Sequence, residues 1–460
     1  MNTLISNFRT EEIRSVKNEV SRTRAEKPLF EAAVGLSREW NARKAGREVA
    51  EDTLKKLGKD PDFFLLFSTI HYEKYGGFKE FIKGVWEVLP EGTPLIGGTV
   101  SGFMNNQGCY TRGATALAVS YQNMNIATGV GRDTKRSPAR AAKDCAKMIR
   151  KGLDSSKYEH GFIIDAISGG LSFQIPFVGR RRVFQDIPGM LANLTTSITS
   201  SLFSKGPGRE EEVLEKLKDC LEDFCIMSGS SMDDNQFISN YQFYNKEVLE
   251  NSIVCLGIKT DLGFDIIRDH GLSQTKKELK ITKISSDRRF IYEINGKPAV
   301  QELLRLMEWP NEYITEKLLH DRTLYYPLGF NHNGEMAIDV IALVSGNSLC
   351  MVHQVKEDTL YVLSASGREL ASAVDTCIQP FKERRPLFGF IYSCGIRLDT
   401  LGSSIFRTQE RLSEYFKGVP FLATYVTGEG VYKPESSLQY GNDTFNMSVF
   451  WENTTKDKKK

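Results

Sequence analysis

Hydrophobic and polar positions along this chain follow two alternating periods. Short continuous apolar runs of strand length recur at 63–67, 94–96, 161–167, 224–227, 387–392 and 419–426. Between them, apolar residues fall at helical spacing. Examples are Ala42, Ala45, Val49, Leu54 and Leu57; Val213, Leu214, Leu217 and Leu221; and Leu401, Ile405, Leu412 and Phe416. The pattern predicts one strand–helix–strand unit three times, with helices over about 37–57, 78–89, 210–221 and 401–416. Each unit stops in small and polar residues: GGTVSG at 97–102, SGSSMDD at 228–234, and SCG at 393–395 with TGEG at 427–430. In open sheets of this kind, ligands sit outside the carboxyl ends of the strands. The stretch 386–430 carries the clearest copy, and the chain is read as organised around it.

The remaining pattern fills in around these units. Strands are expected at 114–121, 125–131, 241–243 and 252–260. A helix opens at Ser137 and Pro138, where proline's missing N–H costs nothing. A hairpin at 280–294, a helix at 298–306, strand-like sequence at 335–363, a helix at 366–378 and a last strand at 444–451 complete the reading. The third unit is interrupted by 170–208, which carries Arg180, Arg181 and Arg182 and a Ser/Thr-rich run. Ile187, Leu191, Leu194 and Ile198 are spaced for a helix there. This segment is read as a lid or inserted loop region. Residues 1–28 read as a charged lead-in, and the tail KDKKK as solvated.

Composition narrows the function classes. The chain has 460 residues, enough for two or three domains, and 40% are hydrophobic. Sixty Lys and Arg against 58 Asp and Glu argue against a dedicated nucleic-acid or membrane-surface binder. No apolar run is long enough for a membrane span. The N-terminus lacks the apolar core of a secretory signal. Eight scattered cysteines suit a reducing cytosol better than a disulfide framework. A cytoplasmic location is the resulting expectation.

Candidate chemistry is sparse. There is no CxxC pair, no HExxH and no clustered histidine, so no metal site is expected. Gly129-Val130-Gly131, beside Arg132, Lys135 and Arg136, is either a phosphate turn or a tight strand-to-helix turn, and the tight turn is favoured. Arg180–Arg182 reads as a solvated loop in preference to an acidic-partner site. Cys394 stands at a strand end, with Arg397 three positions on, where a guanidinium would favour a thiolate. Ligand contact, packing and thiol catalysis are all open to it. Glu429, between two glycines, is equally suited to a ligand amine or to an internal ion pair with Arg397.

FIYSCGIR at 390–397, PFLATYVTGEG at 420–430 and GNDTFNMSVF at 441–450 together resemble the C-terminal part of the FIST (F-box and intracellular signal transduction) family. PLIGGTVSG at 94–102, SGSSMDD and ITKISSDRRFIYEINGKPAVQELL resemble its N-terminal part. The resemblance covers about 30–454. It departs at SGSSMDD, where two glycines are replaced, and at 170–208, which is longer than expected. It implies an α/β (or α+β) fold of stacked sheets with helices outside and two related FIST halves, divided as 29–297 and 298–454. It also implies a sensory protein that binds a small polar metabolite, possibly an amino acid, and passes the signal to another protein. The implied ligand set is Thr99, Ser101, Ser230, Asp233, Cys394, Arg397, Glu429 and Asn442. Arg397 would take a carboxylate and Glu429 an amine. Some members resemble haem-binding sensors, but no CxxCH occurs here, so no cofactor is expected. The expectation is of a binder and not an enzyme. The alternatives are a thiol-dependent enzyme using Cys394 and an interaction scaffold using 1–28 and 170–208.

Overall fold

The computed structural model describes residues 29–171, 182–203, 206, 208–314, 322–332, 334–434 and 436–453. The expected lead-in and basic tail, and Arg180 and Arg181, lie outside them.

The chain forms three sheets. The first contains a four-strand unit in the order Glu31–Ser37, Ala114–Ser120, Phe63–Thr69, Leu95–Val100. Its first two pairings are antiparallel, and Phe63–Thr69 pairs parallel with Leu95–Val100. The second sheet repeats this arrangement twice. Met124–Arg132, Ser252–Thr260, Gly161–Ser168 and Phe224–Ser231 form one half. Gly263–Asp269, Phe445–Trp451, Pro386–Cys394 and Phe421–Tyr432 form the other. The halves join where Phe224–Ser231 runs antiparallel to Phe421–Tyr432.

Burial on both faces explains why these strands read as unbroken apolar runs. One face of the first sheet, through Phe63, Leu65 and Phe67, packs on Phe162, Phe388, Phe390 and Phe450 of the second. Phe388 and Phe450 stack with ring centroids 4.3 Å apart. Each such buried ring contributes about 2 kcal/mol. The outer faces carry helices. Ala42–Leu57 and Phe78–Trp86 cover the first sheet, Pro138–Leu153 and Glu210–Cys220 one half of the second, and Gly367–Ile378 and Ile405–Phe416 the other half. The expectation of stacked sheets between helices holds.

The local signals were read with small shifts. The first long helix begins at Ala42 and not near Ser37, because Asn41 caps it, its side chain accepting from the Lys44 N–H. Ser37 instead ends a strand that the pattern did not reveal. Gly131 serves packing: a Cβ there would stand 1.9 Å from the Ala141 carbonyl oxygen. The glycine lies inside the strand Met124–Arg132 and lets the helix Pro138–Leu153 lie on that strand, where a tight turn was expected.

The third sheet is inserted between Gly263–Asp269 and Gly367–Ile378. It runs from Ser273–Ile284 to Thr359–Ser364 and packs around the helix Ala299–Met307. The expected division at 297/298 falls inside it, at the strand Lys297–Pro298. The other insertion, within 170–208, supplies the strand Val183–Phe184, parallel to Ile341–Ser345 of this sheet. It also supplies the helix Gly189–Phe203. Leu191 and Leu194, whose spacing predicted a helix here, are 53% and 58% exposed. Ile198's side chain lies outside the described set.

Gly131→Ala forces the helix Pro138–Leu153 off its strand. It should lose about 2 kcal/mol of stability, a typical overpacking cost, read as a lower urea midpoint at unchanged slope.

Candidate functional site

The small-residue stretches expected to end the three units converge, but 97–100, 228–231 and 427–430 lie within the strands Leu95–Val100, Phe224–Ser231 and Phe421–Tyr432 and do not follow them as turns. The Ser101 N–H and Oγ both donate to the Tyr425 carbonyl, at 3.0 and 3.1 Å. The Met232 N–H donates to the Thr99 carbonyl at 3.0 Å, and the Gly395 N–H to that of Val426 at 2.6 Å. Ser230 Oγ donates to the Gly428 carbonyl at 3.4 Å. Glycines permit this closeness: at Gly428, where φ is +58°, a Cβ would stand 2.2 Å from Tyr440 Oη.

The eight residues singled out from sequence are all buried, but the convergence is a packed floor and not an open hollow. None of them lines the two cavities described below. Thr99 Oγ1 accepts from the Tyr241 N–H. Asp233 accepts from the N–H groups of Gln236, Phe237 and Ile238 and so shapes its own loop. Arg397 departs most from expectation. Its Nη1 donates to the carbonyls of His270 (3.0 Å) and Asp443 (3.4 Å), and its Nη2 to that of Leu370. The guanidinium ties three loops together in place of clamping a carboxylate. The ion pair considered between Arg397 and Glu429 is not formed, and Asp443 is the nearer acid, at 3.9 Å.

Glu429 accepts from Thr444 Oγ1 at 2.9 Å, while its Oε1 has no partner among the described residues. Burial raises it to about 8, against hydrogen bonds from Thr444 and Cys394 that act the other way. Cys394 is also buried. Burial first, then Glu429 and Asp443, pushes its thiol well above the ordinary range. The thiolate that the catalytic alternative needs is therefore disfavoured. Asn442 bridges to a new group: its Nδ2 donates to Asp339 Oδ1 at 3.0 Å, and its Oδ1 accepts from the Gly428 N–H at 3.2 Å.

That group was not found from sequence. Asp339 Oδ1 lies 3.1 Å from His353 Nδ1, and Tyr440 Oη 3.2 Å from His353 Nε2. Burial pulls the imidazole's pKa down, but Asp339, then Glu211 and Glu210, more than offset it. Beside this group is a cavity of about 400 Å³, lined by Arg268, Glu335, Asp339, His353, Tyr440 and Gly441 among others. Arg268 Nε and Nη2 are buried without a hydrogen-bond partner among the described residues. Burial disfavours its charge, partly offset by Glu429, Glu335 and Asp269. A second, mainly apolar cavity of about 120 Å³ lies between the insertions and Thr427. The sequence signal for Arg268 is a charge two positions beyond Ile266, on the face of the strand Gly263–Asp269 that Phe264 and Ile266 turn to the core.

A helix-covered double sheet whose repeated units close their strand ends on one another, capped by an inserted third sheet, defines an α/β protein of repeated units. The chain belongs to the FIST family: the model of the FIST N domain matches residues 62–297. Membership is consistent with a sensory role in signal transduction. An uncharacterized protein of Methanocaldococcus jannaschii, MJ1623, is 29% identical over 220 residues. The match covers 45% of this chain and 42% of that relative, so the chain spans under half of the relative's length. Among solved structures, a cyanuric acid hydrolase from A. caulinodans is similar at a TM-score of 0.36 and 6% identity, over 93% of this chain and all of that one. A second cyanuric acid hydrolase structure, titled as an innovation by structural concatenation, is similar at 0.32 and 7%, over 92% of this chain and all of that one. These neighbours are enzymes, and the expectation that this chain is not one is corrected accordingly. At these scores they carry no activity or residue role over to it. Among the described residues, no helix is long and apolar enough to cross a membrane.

Three buried acids give the fold a pH dependence. Burial raises Glu429 and Asp165 to about 8 and Asp443 to about 6, against opposing contacts from Thr444, Ser228 and Arg397 respectively. The folded chain then holds these protons more tightly than the unfolded chain. This stability is complete below the ordinary carboxylate range and is lost as pH rises through about 6 to 8. The urea midpoint should fall over that window, and Glu429→Gln, neutral throughout, should flatten part of the decline. A midpoint that rises from pH 5 to 8 contradicts the assignment.

Proposed function

We propose that this chain is a sensory domain that binds a small metabolite carrying a carboxylate, of amino-acid size, in the cavity beside Arg268. The reading rests on one observation: Arg268, on the lining of a cavity of about 400 Å³, has two buried guanidinium donors without a partner among the described residues. Nε–H and Nη2–H lie side by side on one edge of the planar group and match the two oxygens of a carboxylate. A buried donor left unpaired costs free energy, and an anionic ligand removes that cost. Glu335, on the same lining, would take an amine. The volume falls in the range of small-molecule sites.

The cavity wall is built from two sheets. Arg268 belongs to a strand of the second sheet, and Glu335 and Asp339 to the strand Glu335–Asp339 of the third. A ligand spanning them would fix one sheet against the other, and a signalling partner would read that difference. Arg397, the expected clamp, becomes a support of the floor.

Thermal shift against a panel of amino acids and small carboxylates tests the reading, using protein freed of ligand by unfolding and refolding. At least one compound should raise Tm at millimolar concentration. Arg268→Lys keeps the charge but loses the fork, and should weaken binding by roughly 10–100-fold, the loss of about 1.5–3 kcal/mol from charged hydrogen bonds. No stabilisation by any carboxylate, or equal affinity in Arg268→Lys, overturns it.

A further inference from the structure

Glu210 and Glu211 open the helix Glu210–Cys220, and His353 follows the strand Ser348–Met351 of the third sheet. Ligand-capable atoms of the three residues all lie within 4.8 Å of one another. Both glutamates are at least nine-tenths buried. Glu210 Oε2 and Glu211 Oε2 have no hydrogen-bond partner among the described residues. Glu211 Oε1, by contrast, is engaged by Arg289 and by the Gln354 N–H at 3.4 Å. An ionised oxygen left buried and unpaired is costly.

The histidine is oriented for ligation. With Nδ1–H donating to Asp339, the lone pair of the ring resides on Nε2. A carboxylate behind an imidazole is the arrangement that fixes and strengthens a metal-binding histidine. Tyr440 Oη, 3.2 Å from Nε2, has Ser230 as another partner and can release the nitrogen. Acids outnumber bases around the cluster: Glu210, Glu211 and Asp339 against Arg289.

We propose that Glu210, Glu211 and His353 hold one divalent transition-metal ion of the zinc or manganese class. Two carboxylate oxygens and one imidazole nitrogen suit such ions. Magnesium and calcium prefer an all-oxygen set. The proposal goes beyond the carboxylate site and does not rest on it: Arg268 is not a ligand. The ion would join the first turn of the helix Glu210–Cys220 to the third sheet, closing the wall that separates the two cavities, which Glu211 and Glu210 respectively line.

The full chain, stripped with a chelator and confirmed folded by circular dichroism, is titrated with Zn²⁺, Mn²⁺ and Mg²⁺ by calorimetry and by Tm. One equivalent of Zn²⁺ or Mn²⁺ should bind and raise Tm, with Mg²⁺ far weaker. Glu210→Gln should weaken binding at least tenfold, and Asp339→Asn by roughly 10–100-fold. Arg268→Ala should bind metal as the unaltered chain does, which separates failure here from failure of the carboxylate site. X-ray absorption of the zinc-loaded unaltered chain gives a readout independent of variant folding, and should show only nitrogen and oxygen neighbours. No binding of either transition metal by the stripped, folded chain, sulfur in the zinc shell, or unchanged affinity in a folded Glu210→Gln protein each overturns the proposal.

Discussion

The pairing of Phe224–Ser231 with Phe421–Tyr432 is the constraint on which the rest depends. It welds two four-strand halves into one sheet, and its register shifts between Ser228 and Ser230. The irregularity falls among serines and glycines inside the two strands. Backbone N–H and carbonyl groups freed there must find partners, because the region is buried. They find one another across units, as Ser101 with Tyr425 and Met232 with Thr99 show. The floor of the molecule is therefore made of main chain, and little of it is left to meet a ligand.

The polar chemistry is displaced to the neighbouring wall as a result. Arg397, Thr99 and Asp233 satisfy backbone groups or accept from them. Arg268, Glu210 and Glu211, each with a buried side-chain atom that has no hydrogen-bond partner among the described residues, lie where the third sheet meets the second sheet and its helix, as Glu429 does in the floor. A sheet can close its own hydrogen bonds, whereas two sheets that meet without a shared ladder leave side chains to fill the seam. The cavity and the cluster both occupy that seam.

This division explains what was legible in the sequence. The three units were legible because strands buried on both faces read as apolar runs, and because small residues mark their ends. Phe63–Thr69, Gly161–Ser168 and Pro386–Cys394 are all of this kind. The role of Arg397 was not, since its partners are carbonyls of His270, Leu370 and Asp443, which no motif encodes. Arg268 sits in the strand Gly263–Asp269, which the apolar pattern did not reveal. Glu210 and Glu211 look like ordinary favourable charges at a helix start. His353 meets them only through a sheet inserted elsewhere in the chain. Identity of residue was readable, but the pairing of distant residues was not.

The third sheet draws strands from two separate insertions, with Val183–Phe184 covering the flank of Ile341–Ser345. Taking away the earlier insertion alone would bare a row of backbone amides and carbonyls, a template on which another chain can add itself. The two insertions are thus mutually dependent parts of a single module, contributed from both halves of the repeat. A shortened relative would have to dispense with both together, or shield that rim with some other segment.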